Sequence, residues 1–360
     1  MSPNKWNFSI LEKTHLSGNI SYCWKNWQKL LVLSLVNNNF TGSIPASIAH
    51  LSLLKSLHLS NNKIFGKLLH ILKNCTNLEI IDINENQFFG IIPSWIGQRH
   101  SSLIILNLRS NNFHGHIPKQ LCALTSLQIL DLSHNKLFGS IPGCVNNLTA
   151  MTSTSNNILQ DLFVVDGDSM DFERALLVIK GQVLEYTTNL GLLRTIDLSK
   201  NNLSREIPKE VTNLQGLQSL NLSLNNLTGR ILENIGAMGS LESLDFSENQ
   251  LSGRIPPSMS KLSFLSKLNL SLNNLFGRIP SSTQVQSLSA SSFIGNKLCG
   301  PPLMDNCTIN YAKSDTKDKG SSGRREVDWF YVGMALGFVV GFWVVWGPLL
   351  MNRKWRIMYF

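Results

Sequence analysis

No catalytic signature runs through these 360 residues: there is no nucleophile elbow, phosphate-binding loop, HExxH or kinase motif. Carboxylates scattered over the chain do not amount to an acid/base pair, so the sequence does not read as an enzyme. Cysteine is scarce. The six stand at 23, 75, 122, 144, 299 and 307 without a CxxC or Cys/His spacing, which excludes a zinc site, and an even count only permits disulfides. Asp166-Gly-Asp168-Ser-Met-Asp171 lacks the carboxylate spacing and distal Glu of a calcium loop, and His114 and His116 have no third ligand. No metal or cofactor is expected. Lys and Arg exceed Asp and Glu by 32 to 23, a net charge of +9, but they are scattered along the chain rather than gathered into one basic stripe, which argues against a nucleic-acid partner. Disorder is excluded by a 43% hydrophobic content.

What is present is a repeat. The phrase Leu30-x-x-Leu33-x-Leu35-x-x-Asn38-x-Phe40-x-Gly42-x-Ile44-Pro45 returns about every 24 residues, from Leu54, Leu78, Leu103, Leu127, Leu193, Leu217, Leu241 and Leu265. A degenerate unit marked by Leu16-x-Gly18-x-Ile20 precedes these nine. Leu-x-Leu predicts a short strand with one buried face, and a single coil cannot bury that face, so neighbours must stack. The Asn column at 38, 62, 86, 111, 135, 201, 225, 249 and 273 supplies one amide per coil to backbone groups of a tight inner turn. Gly and Pro at fixed offsets would break every helix of a helical alternative. The predicted fold is an α/β leucine-rich-repeat solenoid, with short parallel strands on the concave face and an irregular or 3-10 convex side, plus one C-terminal transmembrane helix.

Punctuation of the period sets the predicted organisation: 1–29 a truncated first repeat, 30–148 five repeats, 149–192 an inserted island, 193–280 four repeats and 281–309 a cap. A linker at 310–328, a transmembrane helix at 329–351 and a cytoplasmic tail at 352–360 follow. In the island, Asp161 to Glu173 reads as acidic and irregular, and Ala175 to Ile179 as a strand. A Cys299–Cys307 bridge would pin the capping loop over the last apolar face. Trp329 to Met351 is an uncharged apolar run of membrane-spanning length, followed by Arg353, Lys354 and Arg356. Gly333, Gly337 and Gly341 form one smooth stripe on it, expected to admit a second transmembrane helix. Asn7, Asn19, Asn39, Asn74, Asn147, Asn202, Asn221, Asn226, Asn269 and Asn306 each begin a glycosylation sequon, a density that favours a secreted face.

The sequence resembles the C-terminal half of plant leucine-rich-repeat receptor-like proteins, particularly receptors for fungal ethylene-inducing xylanase. The likeness runs from about Ser17 to the end. It rests on the Gly-x-Ile-Pro repeat endings, Leu148-Thr-Ala-Met151, Leu177-Val-Ile-Lys-Gly181, Glu185-Tyr186, Leu190-Gly-Leu192 and the cap Gly295-Asn-x-Leu-Cys-Gly-Pro-Pro302. It implies a second strand per coil and a single-pass plasma-membrane protein with extracellular repeats. It further implies a microbial protein or peptide ligand, island contacts through Lys180, Gly181, Glu185 and Tyr186, and signalling in defence through a partner receptor kinase and co-receptor. This chain departs from the pattern in a charge-balanced juxtamembrane segment, in Arg205 where the sixth unit should have Gly, and in lacking a signal peptide or N-terminal cap in Met1 to Ile10. A fragment of a longer secreted chain, or a truncated decoy paralogue, is therefore expected. A soluble inhibitor of a microbial hydrolase is the third reading, disfavoured by the apolar helix.

Ligand contacts are expected on solvent-facing strand positions, in the column Ser34, His58, Asp82, Asn107, Asp131, Asp197, Asn221, Asp245 and Asn269. The less repetitive His58, Asp82, Glu85, Arg109 and His134 are the candidates for specific contacts. Glycans on Asn221 and Asn269 would obstruct a large ligand over the late repeats.

Overall fold

The computed structural model describes residues 8–12, 14–68, 70–152, 163–166, 169–172, 175–179, 182–186, 193–304 and 307. The chain divides into two units, Met1–Thr308 and Ile309–Phe360, and the described residues belong to the first. Among them no helix is long and apolar enough to cross a membrane. The segment 329–351 with Gly333, Gly337 and Gly341 lies outside the described residues.

Each coil begins with a three-residue strand, and ten such strands pair in parallel, in chain order, into one sheet. The nine predicted units, coils 1 to 9, supply nine of them, and Phe8–Ile10, paired with Val32–Ser34, is the tenth, belonging to the degenerate coil that precedes them. The central leucine of each triplet (Leu33, Leu57, Leu106, Leu130, Leu220, Leu244) joins a continuous core with the leucines before and after it. Burying each contributes about 1.5–3 kcal/mol. No coil closes this core alone; the stack does.

The asparagine column closes the inner turn. Asn62 donates to the carbonyls of Leu59 (3.1 Å) and Ser60 (3.2 Å) in its own coil and of Leu35 (2.9 Å) in the previous one, and accepts from the Phe40 amide (3.0 Å). Asn86, Asn111, Asn135, Asn201, Asn225, Asn249 and Asn273 repeat the pattern. One side chain thus satisfies backbone groups of two coils that would otherwise be buried without partners.

After this turn a second strand forms in most coils. Six of these strands, from Phe65–Lys67 to Asn226–Thr228, pair into a second parallel sheet, and Ser252–Gly253, Asn274–Arg278 and Lys297–Cys299 form a third. The returning side of the coil is short 3-10 helix, entered at Pro45, Pro118, Pro142, Pro208 and Pro256 in extended conformation. Proline fits there because this position needs no amide donor.

The inserted island leaves the spring unbroken. Ile129–Asp131, before it, pairs in register with Thr195–Asp197, after it. The expected strand Ala175–Ile179 is present, paired antiparallel with Gln182–Tyr186. Within Asp161 to Glu173 the described residues are more regular than the acidic sequence suggested: Phe163–Asp166 pairs antiparallel with Ser169–Phe172. Backbone pairing tolerates polar and acidic side chains on both faces, which is why composition concealed it.

The cap imitates a further coil. Asn296 takes the asparagine role, donating to Leu270 (2.9 Å) and Phe293 (3.1 Å) and accepting from the Leu275 amide (3.0 Å). Phe293 fills the last core position. Cys299 and Cys307 are bridged, as expected, and Cys122–Cys144 forms a second disulfide between adjacent 3-10 helices just before the island. Cys23 is free and exposed; Cys75 is free and buried.

Candidate ligand-binding face

On the outer side of the ten-stranded sheet, the residue after each central leucine forms the column expected to face solvent. Its first six members are instead buried: Ser34, His58, Asp82, Asn107, Asp131 and Asp197 are all 6% exposed or less. Strands about 4.8 Å apart bring short polar side chains into contact with each other, and they satisfy one another. Asp82 accepts from Asn84 at 2.7 Å and lies 3.9 Å from His58; Asp131 accepts from the amide and hydroxyl of Ser133. His58 and Asp82 are therefore parts of a hydrogen-bonded ladder rather than free surface.

Asn221 and Asn269 belong to the same ladder, donating to Asp197 (3.0 Å) and Asp245 (3.4 Å). Both are half-buried, whereas Asn19, Asn39, Asn74, Asn147, Asn202 and Asn226 are exposed, and Asn7 and Asn306 lie outside the described residues. A glycan requires a free amide nitrogen at the surface, a condition the exposed six meet and the ladder pair do not.

Two breaks mark the ladder at coils 4 to 6. The Nδ2 of Asn107, 1% exposed, has no hydrogen-bond partner. Beside it, Asp131 and Asp197 stand in register on adjacent strands. Burial, then the charge of Asp197, pushes the Asp131 carboxyl up to about 7; burial likewise raises Asp197. Both are held down in part by the Arg109 guanidinium.

Arg109 is the exception in its own column. The equivalent residues are Val36, Ser60, Asn84, Ser133, Ser199, Ser223, Ser247 and Ser271, all small or short. It is half-buried, and its Nε is without a partner. Next to it runs the column that precedes the inner-turn asparagines, held at positive φ by the turn: Glu85 at 50°, His134 at 54° and Lys200 at 53°. Glu85 and Lys200 are exposed and His134 half-buried. Burial lowers the His134 pKa, and the charges of Lys200 and Arg109 lower it further. Arg109 and Lys200 thus form a cationic pair above buried carboxylates, with the His134 ring between them favoured in its neutral form.

Of the predicted contacts, Glu85, Arg109 and His134 are thus brought together at this edge, while His58 and Asp82 lie in the ladder. Lys180 and Gly181 lie outside the described residues; Glu185 and Tyr186 fall on the island strand Gln182–Tyr186, opposite Leu176 and Ala175. Asp131 and Asp197 were in the expected column but not among its specific contacts, and Lys200 was not singled out, because the island separates it from His134 in sequence. Aligning the columns across the island is the signal that finds them.

Leucine rich repeat models match residues 76–137 and, as separate copies, 29–51, 53–75, 192–214, 216–238 and 240–262. Two curated relatives from Solanum lycopersicum are similar: Receptor-like protein EIX1, 54% identical over 234 residues (60% of this chain, 23% of that protein), and Receptor-like protein EIX2, 51% identical over 296 residues (75% and 28%). The chain spans about a quarter of the length of these relatives. Among solved structures it is similar to a plant ice-binding protein (25% identity, TM-score 0.65, 84% of each chain covered). It is also similar to the ectodomain of the Arabidopsis receptor kinase HAESA in complex with an IDA peptide hormone ligand (30%, 0.63, 81% of this chain and 42% of that one) and to PEPR1-AtPEP1 (30%, 0.59, 79% and 38%).

Proposed function

The chain belongs to the leucine-rich-repeat proteins and resembles plant receptor-like proteins of the EIX kind, and on that premise we propose that it is the membrane-proximal part of a cell-surface receptor. Its repeats bind an extracellular protein or peptide on the outer face of the ten-stranded sheet. The signal passes to a partner receptor kinase and co-receptor, in defence. The apolar segment 329–351 anchors it in the plasma membrane with the repeats outside, and Gly333, Gly337 and Gly341 pair with a partner helix. The observation that carries the ligand face is Arg109, a half-buried guanidinium in a column of short side chains, its Nε buried without a partner, flanked by His134 and Lys200. Such a cluster fits a carboxylate of the ligand, since guanidinium binds it in a two-pronged geometry. Solved relatives with peptide ligands support the same class of partner.

The test is binding of the full chain to fungal ethylene-inducing xylanase, followed by interferometry. Arg109→Glu is expected to weaken it at least about tenfold, or 1.4 kcal/mol. Equal binding by parent and variant would remove this edge from the ligand face.

A further inference from the structure

Three of the 32 basic residues, one repeat apart in sequence, come together in space. At or just past the ends of the second strands of coils 7, 8 and 9, Arg230, Arg254 and Arg278 recur at the same repeat position and stack one per coil, all exposed. Each is seated alike. The aliphatic stem of Arg230 lies against Gly253, that of Arg254 against Gly277, and that of Arg278 against Gly300, where a side chain on the glycine would meet the arginine Cγ at 3.1, 3.4 and 3.5 Å. Glycine in each following coil therefore leaves the groove in which the preceding arginine lies, and the three guanidinium groups are carried along one line at the strand spacing of about 4.8 Å. The column is closed on one side by Glu206 in coil 6.

Beside the arginines, the outward positions of the second strands in these coils carry amides, hydroxyls and one aromatic ring, and the exposed carboxylates of Glu233 and Glu248 lie in the turns after and before them. Gln250 and Asn274 are exposed amides, and Phe276 is 43% exposed. A charged sugar polymer requires this combination: cations for its carboxylates, amides for its hydroxyls and an aromatic face for the apolar side of a ring. Composition discriminates among polyanions. A linear uronic-acid polymer joins one carboxylate per sugar to hydroxyls and an apolar ring face, whereas an acidic peptide offers the carboxylates without the sugar hydroxyls and ring face and a nucleic acid offers phosphates.

We propose that Arg230, Arg254 and Arg278, with Gln250, Asn274 and Phe276, form a binding track for a linear polyuronate, distinct from the sheet face that carries the ligand site. The repeats would thereby hold to an acidic polysaccharide while the other face remains open.

The test is titration of the full chain with a linear oligomer of galacturonic acid, with its fully methyl-esterified form, an oligoglutamate and a single-stranded oligonucleotide of matched charge as comparators. The acidic oligomer is expected to bind at least about fivefold more tightly than the two other polyanions, and the esterified form not at all. Replacing all three arginines by Gln should lower affinity by more than about thirtyfold and flatten its salt dependence by close to one charge per arginine removed. Phe276→Ala should weaken sugar binding several-fold and leave oligoglutamate binding unchanged. Because these side chains are exposed, thermal melting serves as the folding control. Equal binding of the esterified oligomer, equal or tighter binding of the oligoglutamate or oligonucleotide, or an unaltered triple variant would each overturn the proposal.

Discussion

The side-chain amide of Asn201 donates to the carbonyl of Leu132, 69 residues earlier in the chain, at 3.0 Å. Asn225 reaches Leu198 at the same distance across 27 residues. The island is therefore extruded from the spring without a change in pitch, and the amide column is what registers the coils on either side of it.

Asn201→Ala should destabilise the repeats by about 2 kcal/mol or more, because the Leu137 amide and the Leu132 carbonyl lose their partner. Asn38→Ala, at the half-exposed first coil, should cost clearly less. Urea unfolding of both variants gives the comparison; equal losses would refute the burial argument.

Stability should fall as pH rises from about 4 to about 7. The folded Asp131 carboxyl sits near 7 against an ordinary 3.8, so the folded state holds its proton more tightly and loses that advantage as the pH passes through the folded value. Asp131→Asn keeps an oxygen for Ser133 and is the residue that coils 4, 7 and 9 already carry. The variant should melt higher than the parent at pH 8 and flatten the slope, by on the order of 1 kcal/mol per pH unit at most. Parallel melting curves at pH 5 and pH 8 would contradict it.

Arg205 occupies the position that is glycine in the other coils, at a φ of 76°. An L side chain there costs about 1 kcal/mol, so Arg205→Gly should stabilise by roughly that amount. The opposite change, Gly229→Ala, meets both a φ of 81° and the Glu206 Cγ at 2.6 Å, and should destabilise. Thermal denaturation reads both signs.

Thiol reactivity should separate the two free cysteines. Cys23 is exposed, while burial pushes the Cys75 thiol up to about 11, and its sulfur lies against the Ile48 carbonyl. Iodoacetamide at neutral pH should label Cys23 rapidly and Cys75 only after denaturation, as mass spectrometry would record. Replacing Cys122 and Cys144 by Ser should cost about 2–4 kcal/mol, because their bridge closes a loop of 22 residues.

The period and its columns were legible because one physical demand dominates each position of the repeat. Leucine fills the core, asparagine satisfies the inner turn, and glycine lets the chain bend. Exposure was not legible. The polar column around Asp82, Asn107 and Asp131 alternates correctly with the leucines and so faces away from the core, yet adjacent strands shield it. Alternation reports which face a side chain takes and is silent on whether neighbours cover it.

By itself the sequence determined the stacked coils, the place of the island, the Cys299–Cys307 closure and the identity of the turn residues, since these depend on contacts that recur within one repeat or its next neighbour. Only the tertiary structure decided that Asp131 meets Asp197, that His58 and Asp82 are covered while Arg109 is reachable, and that three arginines one period apart become a line. Stacking converts a separation of 24 residues into about 4.8 Å, and distances of that size, not sequence intervals, set what charges and hydrogen bonds can do.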